Sequence, residues 1–209
     1  EAELVLDVAQ RLETLLVKQG VEVVLTRSSD VFVPLETRTD IANRAGADLF
    51  LSIHANASSD GVARGFETYF LSFAPNAQAE AIAARENAAS AKTMRSLPDI
   101  VKAIALNNKI DESRDFASLV QSSLADRLKK VDKSARSLGV KQAPFMVLIG
   151  ATMPSVLAEI SFLTNRQEAS LLKTQSYRQQ VAEALFNGVM AYQRSLKKAQ
   201  TTAVLSSGF

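Results

Sequence analysis

Cysteine is absent from the 209-residue chain, and histidine occurs only once. Without cysteine there is no disulfide framework, no thiolate metal site and no cysteine nucleophile, although the redox compartment stays open. No apolar run approaches the roughly 18–20 residues of a membrane-spanning helix, so no span is predicted. The 24 basic residues barely exceed the 22 acidic ones, which gives no electrostatic footprint for nucleic acid. We therefore expect one globular domain with a sizeable core.

Helical and strand-like patterns alternate along the chain. Apolar residues recur at helical spacing in 4–16, 35–45, 78–91, 98–106, 116–128 and 181–196, whereas β-branched or apolar runs occupy 21–26, 49–53, 66–71, 145–149 and 156–162. The run 49–53 is apolar on both faces, which is typical of a strand covered by helices on each side. The alternation predicts an α/β fold with a mostly parallel or mixed central sheet flanked by helices.

The end of the 49–53 strand carries the single histidine, His54, in the run Ser-Ile-His-Ala-Asn. Function in such sheets gathers beyond the carboxyl ends of the strands. From its position alone His54 is a hydrogen-bonded structural imidazole, a metal ligand or a general base. A Ser-His-Asp triad is weakly supported, because the chain has no Gly-x-Ser-x-Gly elbow.

Glu159 is a carboxylate inside the apolar run 156–162. Burying a carboxylate is costly unless it is paired, coordinated or protonated. Strand alternation places Glu159 on the same face as Leu157 and Ser161, opposite Ala158 and Ile160. An ion pair with Arg38 or Arg64 is one explanation, and a catalytic acid or base is the explanation that we favour.

Five segments then occur together in the order of a known family: Glu-Ala-Glu-Leu at 1–4, Arg-x3-Ala-Asn at 38–43, Ala-Asp-Leu-Phe-Leu-Ser-Ile-His-Ala-Asn at 47–56, Arg-Gly-Phe-Glu-Thr-Tyr at 64–69, and Glu-Ile-Ser-Phe-Leu-Thr-Asn at 159–165. They resemble the zinc-dependent N-acetylmuramoyl-L-alanine amidases of bacterial cell-wall remodelling, in the branch that includes the periplasmic cell-division amidases. The resemblance extends from Glu1 to about Leu196, and the two strand ends together are highly specific.

The resemblance implies a chemistry and a cofactor. It implies that the chain hydrolyses the amide between N-acetylmuramic acid and L-alanine in peptidoglycan stem peptides, with Zn²⁺ as cofactor. His54 and Glu1 would be zinc ligands, although Glu1 by itself only reads as a carboxylate suited to a helix start. Glu159 would take a proton from water and pass it to the departing amine. Asn56 and Arg64 are substrate-binding candidates, with a loop cap and a structural ion pair as their alternatives.

The resemblance also bears on the limits of the domain. The first zinc histidine of the family belongs to a segment that should lie upstream of Glu1. We therefore expect an N-terminally truncated amidase domain over 1–198, a flexible tail over 199–209, and a periplasmic or cell-envelope location. A non-catalytic peptidoglycan-binding or scaffold module with an incomplete metal site is the alternative, and nothing in the sequence requires more than a monomer.

Residues 76–110 are more than a minimal family member needs, and the resemblance implies that they form a regulatory helical insertion. In the cell-division branch an inserted helix covers the zinc, and one glutamate plugs the open coordination position until an activator protein removes it. Glu86 is the candidate plug, and Glu80 and Glu112 are alternatives. Without the resemblance, Glu86 is an ordinary solvated helical residue.

Overall fold

A four-stranded mixed sheet forms the centre of the molecule. The computed structural model describes residues 1–72, 77–88 and 109–206. The strands, in the spatial order β1-β4-β2-β3, are β1 (Phe50–Asn56), β4 (Ser155–Phe162), β2 (Phe66–Leu71) and β3 (Ser137–Ala143). β1 is parallel to β4, β2 is parallel to β3, and β2 is antiparallel to β4. The α/β class with a mixed sheet is therefore confirmed.

Helices cover both faces of this sheet. In the described residues they are α1 (Ala2–Val17), α2 (Leu35–Arg44), α3 (Ala77–Asn87), α4 (Ile110–Val131), α5 (Arg166–Lys173) and α6 (Gln175–Ser206). One apolar cluster joins the sheet to α1, α4 and α6, and a second joins the other face to α2, α3 and a 3-10 turn at Met146–Leu148. None of the described helices is long and apolar enough to cross a membrane.

Strand β4 contributes side chains to both apolar clusters. Val156, Ala158 and Ile160 belong to the first cluster, whereas Leu157 belongs to the second. Since side chains alternate along a strand, Glu159 faces the same side as Leu157, the side covered by α2 and α3. The sequence predicted this alternation correctly.

The first cluster depends on a close helix contact. Gly188 on α6 packs against α4, where an added Cβ would lie only 2.8 Å from the Cα of Val120. Val120 itself is fully buried. Glycine therefore allows the backbones of α4 and α6 to approach, and α6 in turn packs against α1.

Two of the predicted strands, at 21–26 and 145–149, were wrong. Residues 21–26 form no strand, because they have no ladder partner in the described residues although they run near β1. Residues 145–149 are buried, yet they contain the 3-10 turn, because they cover the second cluster instead of joining the sheet. Conversely, β3 escaped notice because Ser137–Ala143 is polar and partly exposed.

Helix ends differ in detail from the sequence patterns. Asn165 caps α5, with its side chain accepting from the backbone of Gln167 and Glu168. At the start of α6 the hydroxyl of Thr174 accepts from the backbone N–H of Tyr177 at 3.3 Å. α6 continues to Ser206, into the segment predicted as a tail. The helix expected over 98–106 lies outside the described residues.

Candidate active site

Three adjacent strands bring polar side chains into one row. The Cα of His54 on β1 pairs with that of Glu159 on β4, and the Cα of Glu159 pairs with that of Glu67 on β2. Directly opposed residues project from the same face of a sheet. The two strand ends singled out in the sequence therefore meet at one edge, on the face that α2 and α3 cover.

Two carboxylates converge on the imidazole of His54. Its Nδ1 lies 2.9 Å from Oε2 of Glu86 and 3.3 Å from Oε1 of Glu1. Glu1 stands at the start of α1, where the backbone N–H of Ala55 also donates to its Oε1 at 3.3 Å. Glu86 comes from the last turn of α3. His54 Nε2 lies 3.1 Å from the hydroxyl of Ser52, which can accept a hydrogen bond from Nε2–H while Nδ1 faces the carboxylates.

The electrostatics of this cluster favour a cation. Burial pulls the pKa of His54 down, but the close contacts with Glu1 and Glu86 and the charge of Glu159 outweigh it and raise that pKa to about 10. Burial raises the pKa of Glu1, yet the contact with His54 outweighs it and leaves that pKa below its usual value. The carboxylates thus stabilise positive charge at this position, supplied by a proton when no metal is bound.

Glu159 lies next to this cluster in a dry environment. It is fully buried, and neither carboxylate oxygen has a hydrogen-bond partner among the described residues. Burial raises its pKa to about 8; the charge of His54 opposes this shift, and Glu86, Glu1 and Glu67 add to it. An unpartnered carboxylate with a pKa near neutrality is suited to general acid–base work.

The donor set fits a divalent cation that prefers nitrogen and oxygen ligands. One ligand atom each from Glu1, His54 and Glu86 lies within 4.8 Å of the others. The buried Nδ1 of His54 has no partner with hydrogen-bond geometry, although two carboxylates surround it. Imidazole with carboxylates is a common zinc donor set, so these residues fit Zn²⁺.

Arg38 and Arg64 do not pair with Glu159. Arg38 donates from Nε to the carbonyl oxygen of Val33 at 3.0 Å. Burial and the charge of Arg27 lower its pKa, while Glu1 and Glu86 oppose this shift, so Arg38 faces the carboxylates at His54. Arg64 contributes positive charge near Glu168. The ion-pair explanation for Glu159 is therefore wrong in the described residues.

Asn56 and Glu67 form a second polar group behind Glu159. Asn56 is buried; its Nδ2 donates to Oε1 of Glu67 at 3.0 Å, and its Oδ1 accepts from the backbone of Ala57 at 2.8 Å. The role of Asn56 in substrate binding, like that of Arg64, stays a prediction. Glu67 was not among the predicted site residues, although a carboxylate within the apolar strand 66–71 carries the same signal that identified Glu159.

Together the fold and this row of imidazole and carboxylates define an α/β enzyme with an acid–base site at the carboxyl ends of its strands. Residues 1–191 match the family model described as N-acetylmuramoyl-L-alanine amidase. The chain belongs to that family and to that enzyme class.

Named relatives agree with this assignment. The chain is 34% identical over 197 residues to the N-acetylmuramoyl-L-alanine amidase AmiA of Escherichia coli, covering 92% of this chain and 68% of AmiA. It is 35% identical over 194 residues to the amidase LytC of Bacillus subtilis, covering 93% of this chain but only 31% of LytC.

A solved structure has the same fold. An N-acetylmuramoyl-L-alanine amidase from Clostridium difficile superposes with a TM-score of 0.70 at 28% identity, over 92% of this chain and 83% of that one. The sequence resemblance to the amidases is therefore confirmed at the level of family and fold.

Proposed function

We propose that the protein is a zinc-dependent amidase that cleaves the bond between N-acetylmuramic acid and L-alanine in peptidoglycan. The observation that carries the proposal is the convergence of Glu1, His54 and Glu86 beside the unpartnered carboxylate of Glu159. A binding or scaffold module has no use for a buried, unpaired acid next to such a cluster, because the acid only costs stability there.

Glu1 and His54 would hold the Zn²⁺ ion. Bound there, Zn²⁺ would polarise the scissile carbonyl and make the attacking water more acidic. With Zn²⁺ bound, Nε2–H of His54 would donate to the hydroxyl of Ser52, the tautomer that leaves Nδ1 free as a ligand atom. Glu159 takes a proton from the attacking water and delivers it to the departing amine, because it lies beside the proposed ligands and neither of its oxygens has a partner among the described residues.

A further histidine ligand would come from a segment N-terminal to Glu1. His54 is the only histidine in the sequence, and the outer edge of β1 has no partner strand among the described residues. A cavity of about 1060 Å³ lies along that edge, between β1, α1, α2 and residues 21–32. Its rim exposes apolar side chains, including Val24 and Phe32. An added strand would pair with β1 and cover them.

Helix α3 would act as an autoinhibitory element with Glu86 as the plug. Glu86 is the nearer of the two carboxylates at His54. Asn87 fixes the end of α3, donating to the carbonyl oxygen of Pro144 at 2.9 Å and accepting from the backbone of Met146 at 2.8 Å. Arg85 donates to the carbonyl oxygen of Ala57, next to the end of β1. An activator protein that binds α3 would shift the population towards an open site.

The cellular setting follows from the substrate. Peptidoglycan lies outside the cytoplasmic membrane, so we place the protein in the periplasm or cell envelope, where it acts in wall remodelling and separation of daughter cells. Asn56 and Arg64 stay candidates for substrate contacts at the strand ends. The limits 1–198 for the catalytic domain also belong to this proposal.

The test uses the full-length gene product. Its bound zinc is quantified, and purified sacculi serve as substrate. We expect about one zinc per chain and release of stem peptides that carry a free L-alanine amine. Zinc without peptide release, in the unmodified protein and in Glu86→Ala alike, would support the scaffold alternative. Peptide release that survives complete removal of metal would contradict the proposed chemistry.

A further inference from the structure

Glu67 is a second fully buried carboxylate beside Glu159, and the mechanism above does not use it. Unlike Glu159, it accepts hydrogen bonds at Oε1 and has a cation next to Oε2, although Oε2 has no partner with hydrogen-bond geometry among the described residues. Its Oε1 accepts hydrogen bonds from Asn56 Nδ2 at 3.0 Å and from the hydroxyl of Tyr69 at 2.8 Å. Its Oε2 lies 2.5 Å from Nζ of Lys141. The ammonium group of Lys141 and the two hydrogen bonds at Oε1 offset the cost of burying this charge.

The contact between Asn56 and Glu67 joins two strands that are not neighbours. Asn56 ends β1 and Glu67 lies in β2, and β4 runs between them. The two side chains therefore meet over β4, the strand that carries Glu159. Asn56 is also tied to the end of β4, since its backbone oxygen accepts from the N–H of Leu163 at 2.7 Å.

The register at this point makes such a tie useful. The pairing of β1 with β4 is regular up to His54 and Glu159, and then shifts between His54 and Asn56. A bulge re-aims side chains, so the strand end after His54 is not fixed by regular ladder bonds alone. The hydrogen bond to Glu67 supplies a fixed point two residues beyond His54.

We propose that Glu67 is a positioning residue of the amidase site: through Oε1 it holds Asn56, and with it the end of β1 that carries His54, in place beside Glu159. Lys141 serves this role by pairing with the other oxygen, and Tyr69 by fixing the carboxylate plane. The inference rests on the amidase class of the chain and on the proposed roles of His54 and Glu159.

Two double variants separate position from charge. Glu67→Gln/Lys141→Met removes both charges and keeps an acceptor oxygen for Asn56 and Tyr69. Glu67→Leu/Lys141→Met has the same net charge and a similar volume but no acceptor. A misplaced strand end disturbs the transition state more than substrate binding, so the difference should appear in kcat and not in KM.

We expect kcat for a soluble muramoyl-peptide to be about 10–100-fold lower in the leucine variant than in the glutamine variant, as for other groups that orient a metal ligand. KM should agree within about threefold. Zinc affinity, measured by chelator competition, should fall by about tenfold or more in the leucine variant alone. Urea unfolding of both variants shows how much stability each has lost.

Two outcomes would overturn the proposal. If both folded variants keep the kcat and the zinc affinity of the unmodified protein, the acceptor oxygen positions nothing. A loss in the glutamine variant as large as that in the leucine variant would show that charge, and not position, matters. If the unmodified protein binds no zinc, the proposed metal site fails, while the kcat comparison still decides the role of Glu67.

A second pair of variants covers the case in which the leucine variant does not fold. Asn56→Asp sets two carboxylates against each other and should lower kcat. Asn56→Asp/Glu67→Gln exchanges donor and acceptor and keeps the original net charge. Its kcat should be at least about tenfold higher than that of Asn56→Asp alone. Failure to recover in a folded double variant would count against the proposal.

Discussion

His54 and Glu159 are directly paired neighbours on the parallel strands β1 and β4, so the imidazole and the acid project from one face at one edge of the sheet. More than a hundred residues separate them in the sequence, so it is the pairing of β1 with β4 that brings them together. Ladder hydrogen bonds fix their separation better than a loop could. The assignment of the site depends on this pairing.

Replacing Glu159 with glutamine should abolish amide hydrolysis while bound zinc is retained. Glutamine keeps the shape of the side chain but cannot take or deliver the proton, and general acid–base groups contribute about 10²–10⁴-fold. Peptide release from sacculi and zinc content measure the two effects separately.

Glu168→Gln is the matched control for that variant. Glu168 is also buried, but it accepts from the backbone N–H groups of Gly65 and Phe162, both at 2.7 Å. Its loss should lower the free energy of unfolding by about 1–3 kcal/mol and leave kcat within about fivefold. Normal turnover by Glu159→Gln would refute the catalytic role.

Glu86→Ala should raise basal activity. It removes the nearer carboxylate at His54, and loss of a close contact between charged groups, at about 1.5–3 kcal/mol, corresponds to roughly a tenfold to hundredfold shift towards the open site. Glu80→Ala, at an exposed position on the same helix, is the comparison and should not raise basal activity to the same extent. Unchanged basal activity in Glu86→Ala would mean that Glu86 is no plug.

Asn87→Ala should also raise basal activity, but without touching a ligand of the site. It deletes both hydrogen bonds that fix the end of α3 to residues 144–146. At about 1 kcal/mol for each bond, the open population should rise by roughly tenfold or more. Zinc affinity, followed by chelator competition, should not fall; a fall would indicate damage to the site.

Zinc removal should destabilise the folded protein. Ligand that binds only the native state adds about 2.7 kcal/mol to the unfolding free energy at a hundredfold excess over Kd. Chelation should therefore lower Tm reversibly, and readdition of zinc should restore it. His54→Ala should show a Tm that is independent of zinc, and a response equal to that of the unmodified protein would contradict the ligand assignment.

Gly188→Ala should destabilise the fold without altering the chemistry of the site. The new methyl group would lie 2.8 Å from the Cα of Val120, and α4 and α6 would have to separate. Overpacking of this kind costs about 1–3 kcal/mol. Urea unfolding measures the loss, and the exposed neighbour Asn187→Ala provides a control that should be nearly neutral.

Local patterns predicted much of the fold because they report periodicity and burial. The helices α1 and α2, the strands at 50–56 and 155–162, and the facing of Glu159 all follow from spacing along the chain. Residues 21–26 were wrongly predicted as a strand and β3 was not predicted at all, and both errors have the same cause. Membership of a sheet depends on a neighbouring strand, and no local pattern specifies that neighbour.

By itself the sequence determined the chemical inventory: one imidazole, no thiol, and acids placed where strands end, in an order that resembles the amidases. Tertiary structure alone decided that Glu1 and Glu86 converge on Nδ1 of His54, that Glu159 has no partner there, and that Glu67 reaches Asn56 over β4. The reason is physical. Side-chain type is local information, whereas distances between residues far apart in the chain are set by strand order and helix packing.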